Sequence, residues 1–151
     1  MKKLYEILAT GVYVGYFPIA PGTYGSLTAS LIIFVTSQFT DINLAFRIIL
    51  SLATFIIGLA AVHALTSESS EKDPGYIVID EWAGQFTTYC FADVNLENII
   101  VGLILFRIFD ISKFYPANKA EKLKGSLGVM TDDIIAGLYA GIGLYLWDRF
   151  I

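Results

Sequence analysis

Charge is what this chain has least of. Only 16% of its 151 residues are charged, against 56% hydrophobic, whereas soluble domains carry about 25% charged residues. No charged residue falls between Ile7 and Thr40. A basic excess is also lacking: the net charge of -4 leaves no footprint for nucleic acid. Cysteine is nearly absent, and the single Cys90 excludes a disulfide framework or a zinc cluster. Cys90 reads as a small buried hydrophobe. The one histidine, His63, lies in an apolar run and reads as a packed or interhelical side chain rather than a ligand. Low-complexity tracts, long linkers and obvious repeats are missing. The opening Met1-Lys-Lys-Leu-Tyr-Glu6 looks like the start of a signal peptide. However, Pro18, Pro21 and Gly22 interrupt the apolar run after it and no Ala-x-Ala site appears, so it reads as retained. The length corresponds to one domain, 1–151.

What is there is a series of apolar runs separated by polar breaks. The stretch 15–26, with its prolines and glycines, reads as a loop, with Thr23 or Ser26 capping a helix over 27–39. Residues 48–67 carry no formal charge apart from His63 and match the ~20 residues a helix needs to cross a bilayer core. After the polar stretch 68–75 comes a short β-branched approach, 76–79. Runs at 82–92 and 99–109 are too short to span alone at ~1.5 Å per residue; they predict a hairpin that is re-entrant, tilted or packed inside the bundle. A basic loop, 113–124, precedes a final helix over 134–147, whose Trp147-Asp-Arg149 ending suits an interfacial anchor. The small residues Ala136, Gly137, Ala140 and Gly141 permit close helix contact.

Acids gather where these runs begin or end: Asp80-Glu81, Asp110 after Arg107, and Asp132-Asp133. Adjacent acids beside an apolar segment are costly unless a cation or hydrogen-bond donors offset them. With the N-terminus cytoplasmic, alternating segments put Lys2, Lys3, Lys72, Lys113, Lys119, Lys122 and Lys124 on one side and Arg47 and Arg149 on the other. That fits the positive-inside rule and places all three acidic clusters on the cytoplasmic side. Hard divalent cations such as Mg²⁺ prefer carboxylate oxygens. The plainer explanation is the helix dipole, which favours acids in a first turn, with Thr131 as N-cap of the last helix. Arg107 and Asp110 share a helical face, either as a structural ion pair or with Arg107 free to hold a phosphate oxygen; Lys113 could extend the same anion site. The turn Pro21-Gly-Thr-Tyr-Gly-Ser26 can present backbone N–H groups to an anion, but it lacks the Gly-Lys-Ser/Thr ending of a Walker loop.

Four stretches, Pro-Ile-Ala-Pro-Gly-Thr-Tyr-Gly-Ser-Leu (18–27), Asp-Pro-Gly-Tyr-Ile-Val-Ile-Asp-Glu-Trp-Ala-Gly (73–84), Phe-Arg-Ile-Phe-Asp-Ile-Ser-Lys (106–113) and Gly-Val-Met-Thr-Asp-Asp-Ile-Ile-Ala-Gly-Leu-Tyr-Ala (128–140), together resemble bacterial phosphatidylglycerophosphatase A. The likeness covers nearly the whole chain; departures fall at Phe114-Tyr-Pro116 and Gly125-Ser-Leu, in the loop between Asp110 and Asp132. It implies an all-α, multi-helical membrane-associated bundle. It implies a Mg²⁺-dependent phosphatase of the bacterial inner membrane, acting on phosphatidylglycerophosphate with its site facing the cytoplasm. Carried onto this chain, Asp80, Glu81, Asp132 and Asp133 would hold the metal. Arg107 and Lys113, helped by Thr23 and Ser26, would hold the phosphate, and Asp110 would be a further ligand or activate water. Water and an aspartate both remain open as nucleophile, and a homo-oligomer is compatible with the sequence. The competing readings are a phosphatase of another lipid or soluble phosphate, and a non-catalytic divalent-cation channel or carrier. A transport path needs ionisable groups spread through the membrane depth, whereas these acids gather at one face.

Overall fold

The computed structural model describes residues 2–67 and 74–151, so most of the polar stretch 68–75, with Lys72, lies outside the described residues. The elements are α1 (Lys2–Ala9), a 3₁₀ turn (Val14–Tyr16), α2 (Pro21–Phe39), α3 (Leu44–Thr66), α4 (Ile79–Thr88), α5 (Leu96–Ser112), α6 (Ala117–Ala120) and α7 (Ser126–Phe150). Among the described residues there is no strand, and the all-α expectation holds.

Local chemistry sets the helix starts. Asn43 accepts from the Phe46 N–H at 3.0 Å, and Asn95 from the Asn98 N–H at 2.8 Å, each satisfying a donor that a helix start leaves unpaired. At α2 the sequence reading fails. Pro21 occupies the first turn rather than breaking a helix, and Ala20 before it takes φ 49° and ψ 55°. Proline suits that place because its missing N–H would be unpaired anyway. Among the described residues no side chain caps α2; Ser26, inside the helix, donates to the Gly22 carbonyl at 2.9 Å. The final helix also starts earlier than 134. It follows Gly125, at φ 64° and ψ −145°, a conformation glycine adopts without strain. Thr131 is therefore interior to α7, and Asp132 and Asp133 lie about two turns in. The dipole's benefit fades within the first turn, so it cannot account for these two acids. It does apply to Asp80 and Glu81, in the first turn of α4.

The short α4 is the hub. Eight of its ten residues are buried, and α2, α3, α5 and α7 all pack against it. Of the three forms expected for the hairpin, α4 takes the one packed inside the bundle, while α5 extends to 17 residues. The far end of α4 is capped from α3. Arg47, 8% exposed, donates through Nη1 to the Tyr89 carbonyl at 2.9 Å and to the Ala92 carbonyl. The Tyr89 carbonyl is an acceptor that the end of α4 leaves open, and Ala92 lies in the bend just beyond it. Between α4 and α7 the backbones nearly touch: a Cβ at Gly137 would stand 2.3 Å from the Gly84 carbonyl oxygen. The Thr88 hydroxyl lies 3.1 Å from the Gly84 carbonyl and 3.3 Å from that of Gly137. Small residues thus permit the close contact expected of them.

With 23 and 25 residues, α3 and α7 are long and apolar enough to cross a membrane, being ~34 and ~37 Å long against a hydrocarbon core of ~30 Å. Ile49, Leu52 and Ile56 of α3, Leu31 and Val35 of α2, and Ile100, Ile104 and Ile108 of α5 all face outward. An apolar surface of this extent marks a membrane or protein contact. The chain is a membrane-associated helical bundle. His63 is exposed near the end of α3 rather than packed.

Candidate active site

The starts of α2 and α4, the end of α5 and the first turns of α7 converge on a polar pocket of about 300 Å³. Asp80 and Glu81 enter it from α4, Arg107, Asp110 and Lys113 from α5, and Asp132 and Asp133 from α7. All three acidic clusters named from the sequence therefore meet in one place. Asp80, Glu81 and Asp133 come closest, each offering a carboxylate oxygen within 4.8 Å of the others. Burial comes first and the charge of Asp133 second in pushing Glu81 up to about 8. The cluster is short of positive charge, and Glu81 Oε2 is buried without a partner among the described residues. Such an atom costs free energy unless something else binds it.

Asp132 takes a different place from its neighbour. Its Oδ2 lies 2.9 Å from Lys113 Nζ, and Lys113 is also 2.8 Å from Glu121. Burial works against the ammonium of Lys113, but its hydrogen bonds to Glu121 and Asp132 hold its pKa above the ordinary lysine value. The other Asp132 oxygen is buried and, among the described residues, unpartnered. Asp132 is thus a wall of the pocket, outside the three-carboxylate group, and Glu121 is a partner that the sequence reading missed. No signal for it existed, since charge in a basic loop reads as solvent-facing.

Arg107 joins the two sides. Its Nη1 donates to Asp110 and to Ser26 Oγ at 3.4 Å, and stands 3.9 Å from Glu81 Oε1. Its Nε is buried without a partner among the described residues. Ser26 is itself fully buried, so it orients Arg107 instead of lining the pocket. Thr23 lies on a neighbouring apolar groove that also includes Arg107. Of the Pro-Gly turn, Ala20, Pro21 and Gly22 do line the pocket. A Cβ at Gly22 would fall 2.0 Å from Glu81 Oε1, so a larger residue there would displace that carboxylate from its present place.

Cys90 sits beyond the other end of α4, in an apolar cavity with Leu44, Ile48 and Leu138. Burial raises its thiol pKa, opposed by the charge of Arg47, which is the reverse of what a thiolate nucleophile needs. Cys90→Ser is expected to keep activity within about twofold; measured phosphate release below a tenth of wild type would reopen the thiol route.

The phosphatidylglycerophosphatase A family model matches residues 7–148. Two relatives named phosphatidylglycerophosphatase A are similar along most of their length. The one from Escherichia coli is 31% identical, covering 96% of this chain and 84% of its own, and the one from Haemophilus influenzae is 30% identical, covering 93% and 86%. A Bacteroides thetaiotaomicron protein provisionally named a phosphatidylinositol-3-phosphatase is 37% identical, covering 90% of this chain and 88% of its own. No solved structure matches the chain.

Proposed function

The chain belongs to the phosphatidylglycerophosphatase A family, and from that premise we propose that it hydrolyses the terminal phosphomonoester of phosphatidylglycerophosphate at this pocket. The products are phosphatidylglycerol and inorganic phosphate, a step of phospholipid synthesis. The observation that carries the reading is the meeting of three carboxylates with Arg107 and Lys113 at one pole of an apolar bundle. Anion-holding and cation-holding groups share one small pocket, as phosphate-ester hydrolysis requires.

The residues present fit a hard divalent cation. Asp80, Glu81 and Asp133 would hold it, because their oxygens converge and the buried Glu81 Oε2 has no other partner among the described residues. Bound there, Mg²⁺ would neutralise phosphate oxygens and polarise the ester. The chain's own groups do the positioning. The planar guanidinium of Arg107 suits two phosphate oxygens at once, and its Nη1 is pinned by Asp110 and Ser26. Lys113, held by Asp132 and Glu121, adds a second cation at the pocket wall. Asp110, beside Arg107, would take the proton of the attacking water and return it to the departing glycerol oxygen. The lysine-rich loop after α5 lies at the same pole as the pocket and Arg47 at the other, which supports a cytoplasmic site in the inner membrane.

The test is phosphate release by the purified protein in detergent, with phosphatidylglycerophosphate, phosphatidylinositol 3-phosphate and phosphatidic acid offered separately. Release from phosphatidylglycerophosphate is expected with Mg²⁺, falling at least about a hundredfold with chelator and returning when Mg²⁺ is restored. Release indifferent to chelator would remove the metal. Preference for the inositol lipid would transfer the substrate. No release from any lipid phosphate, together with cation flux in liposomes, would replace the enzyme with a carrier.

A further inference from the structure

A second cavity opens beside the pocket, on the outer face of the bundle. It is a groove of about 530 Å³ lined by Leu103, Ile104, Ile108 and Ile111 of α5, with Thr23 of α2 and Arg107 among its lining residues. Leu103 to Ile111 covers ~12 Å of helix. The isoleucines are 54%, 50% and 70% exposed, so this is a surface with room for an occupant rather than a packed interface. Their spacing of four and three residues keeps them on one stripe of α5.

Arg107 belongs to both cavities. Its Nη1 turns into the acidic pocket toward Glu81 and Asp110, whereas its Nε is buried and unpartnered among the described residues. One cationic side chain thus stands where a polar, metal-fitted pocket meets an apolar trough. A ligand suited to both must carry an anionic head and a hydrocarbon tail. The larger apolar groove toward the far pole, about 670 Å³ along Val101 and Trp147, meets this one at Ile104 but includes none of the acidic pocket's charged residues.

We propose that the groove between α2 and α5 holds an acyl chain of the phosphomonoester lipid whose phosphate enters the acidic pocket. This rests on the hydrolytic reading for its head group, and it adds that the enzyme selects lipid over soluble phosphate through α5. The substrate would enter laterally, its tail lying against Ile104, Ile108 and Ile111 and its phosphate passing Arg107. Each buried methylene strengthens binding by about fourfold, so turnover at limiting substrate is expected to depend on chain length.

Two measurements test it. In wild-type protein, kcat/KM for phosphatidylglycerophosphate is expected to rise at least about tenfold from six-carbon to ten-carbon chains. In Ile108→Trp, which fills this groove alone from an exposed position, that ratio is expected to fall to near one. An unchanged ratio in the variant, or none in wild type, overturns the groove even though phosphate is released. The second measurement needs no turnover. Phosphatidic acid with a photoreactive group on its acyl chain is expected to label residues 103–111 and to be competed by unlabelled phosphatidylglycerophosphate. A diacylglycerol carrying the same group is expected to label the outer apolar faces without that preference. Labelling by phosphatidic acid that matches the diacylglycerol pattern, or resists competition, would refute the proposal whatever the hydrolysis assay shows.

Discussion

Asp133→Asn is expected to abolish phosphate release, by on the order of a thousandfold or more, while the protein stays folded in the membrane. The side chain is 4% exposed and asparagine nearly matches its shape, so packing is kept. What disappears is one of three carboxylates whose oxygens lie within 4.8 Å of one another. Removing one of several buried like charges relieves repulsion, so the metal-free variant is expected to unfold no earlier than wild type on heating in detergent. The difference should emerge on adding Mg²⁺. An ion that binds only the folded state raises its stability by mass action; wild type should gain in melting temperature and the variant should not. Asp132→Asn offers the contrast. Its partner is Lys113, so it is expected to weaken phosphate holding and spare the Mg²⁺ shift. Wild-type-like phosphate release by Asp133→Asn would end the assignment of that residue.

The contrast between those neighbours shows where sequence reading stops. The pair Asp132-Asp133 was legible as chemistry because acids are so scarce in this chain. Which of them joins Asp80 and Glu81 was not. Successive residues on a helix point about 100° apart, and which of the two turns toward Asp80 and Glu81 depends on the rotation of α7 against α4. The start of α7 was hidden for a related reason. The stretch 126–131 lacks a clear apolar period, and its place is set by packing: a Cβ at Gly128 would meet the Leu123 carbonyl oxygen at 2.5 Å. In the same way 21–26 looks like a broken segment until Gly25 is seen against Val78, with 2.8 Å left for a Cβ. Arg47, counted from the sequence as a loop charge, caps a helix 42 residues away, and no local pattern encodes that. The order of the helices, the apolar belt and the charged members of the pocket were legible; the helix starts, the places of Thr23 and Ser26 outside the pocket lining and the division of labour among the acids were not.

A single methyl group added at Gly137 is expected to cost about a hundredfold in phosphate release, although it touches no acid. The new Cβ would stand 2.3 Å from the Gly84 carbonyl oxygen and 3.0 and 3.1 Å from that residue's carbonyl carbon and Cα. All three atoms are backbone, so no side chain can swing aside, and α4 and α7 must separate. Overpacking of this kind costs about 1–3 kcal/mol, and rigid backbone on both sides argues for the upper end. The crossing lies four residues beyond Asp80 on one helix and four beyond Asp133 on the other, one turn from the cluster on each side. Parting the helices there moves the carboxylates apart. Misplacement by ~1 Å can cost about a hundredfold in rate, and the Mg²⁺-dependent gain in melting temperature should shrink with it. Gly143→Ala, further along α7, is the control. Its Cβ would meet only the Leu105 side chain, at 3.2 Å, and a small rotation there absorbs the strain. Near-normal melting and turnover are expected for that variant, so a general intolerance of added bulk on α7 would show as equal losses in both. If Gly137→Ala instead matched wild type in melting and phosphate release, the close crossing of α4 and α7 would not be what sets the spacing of Asp80, Glu81 and Asp133.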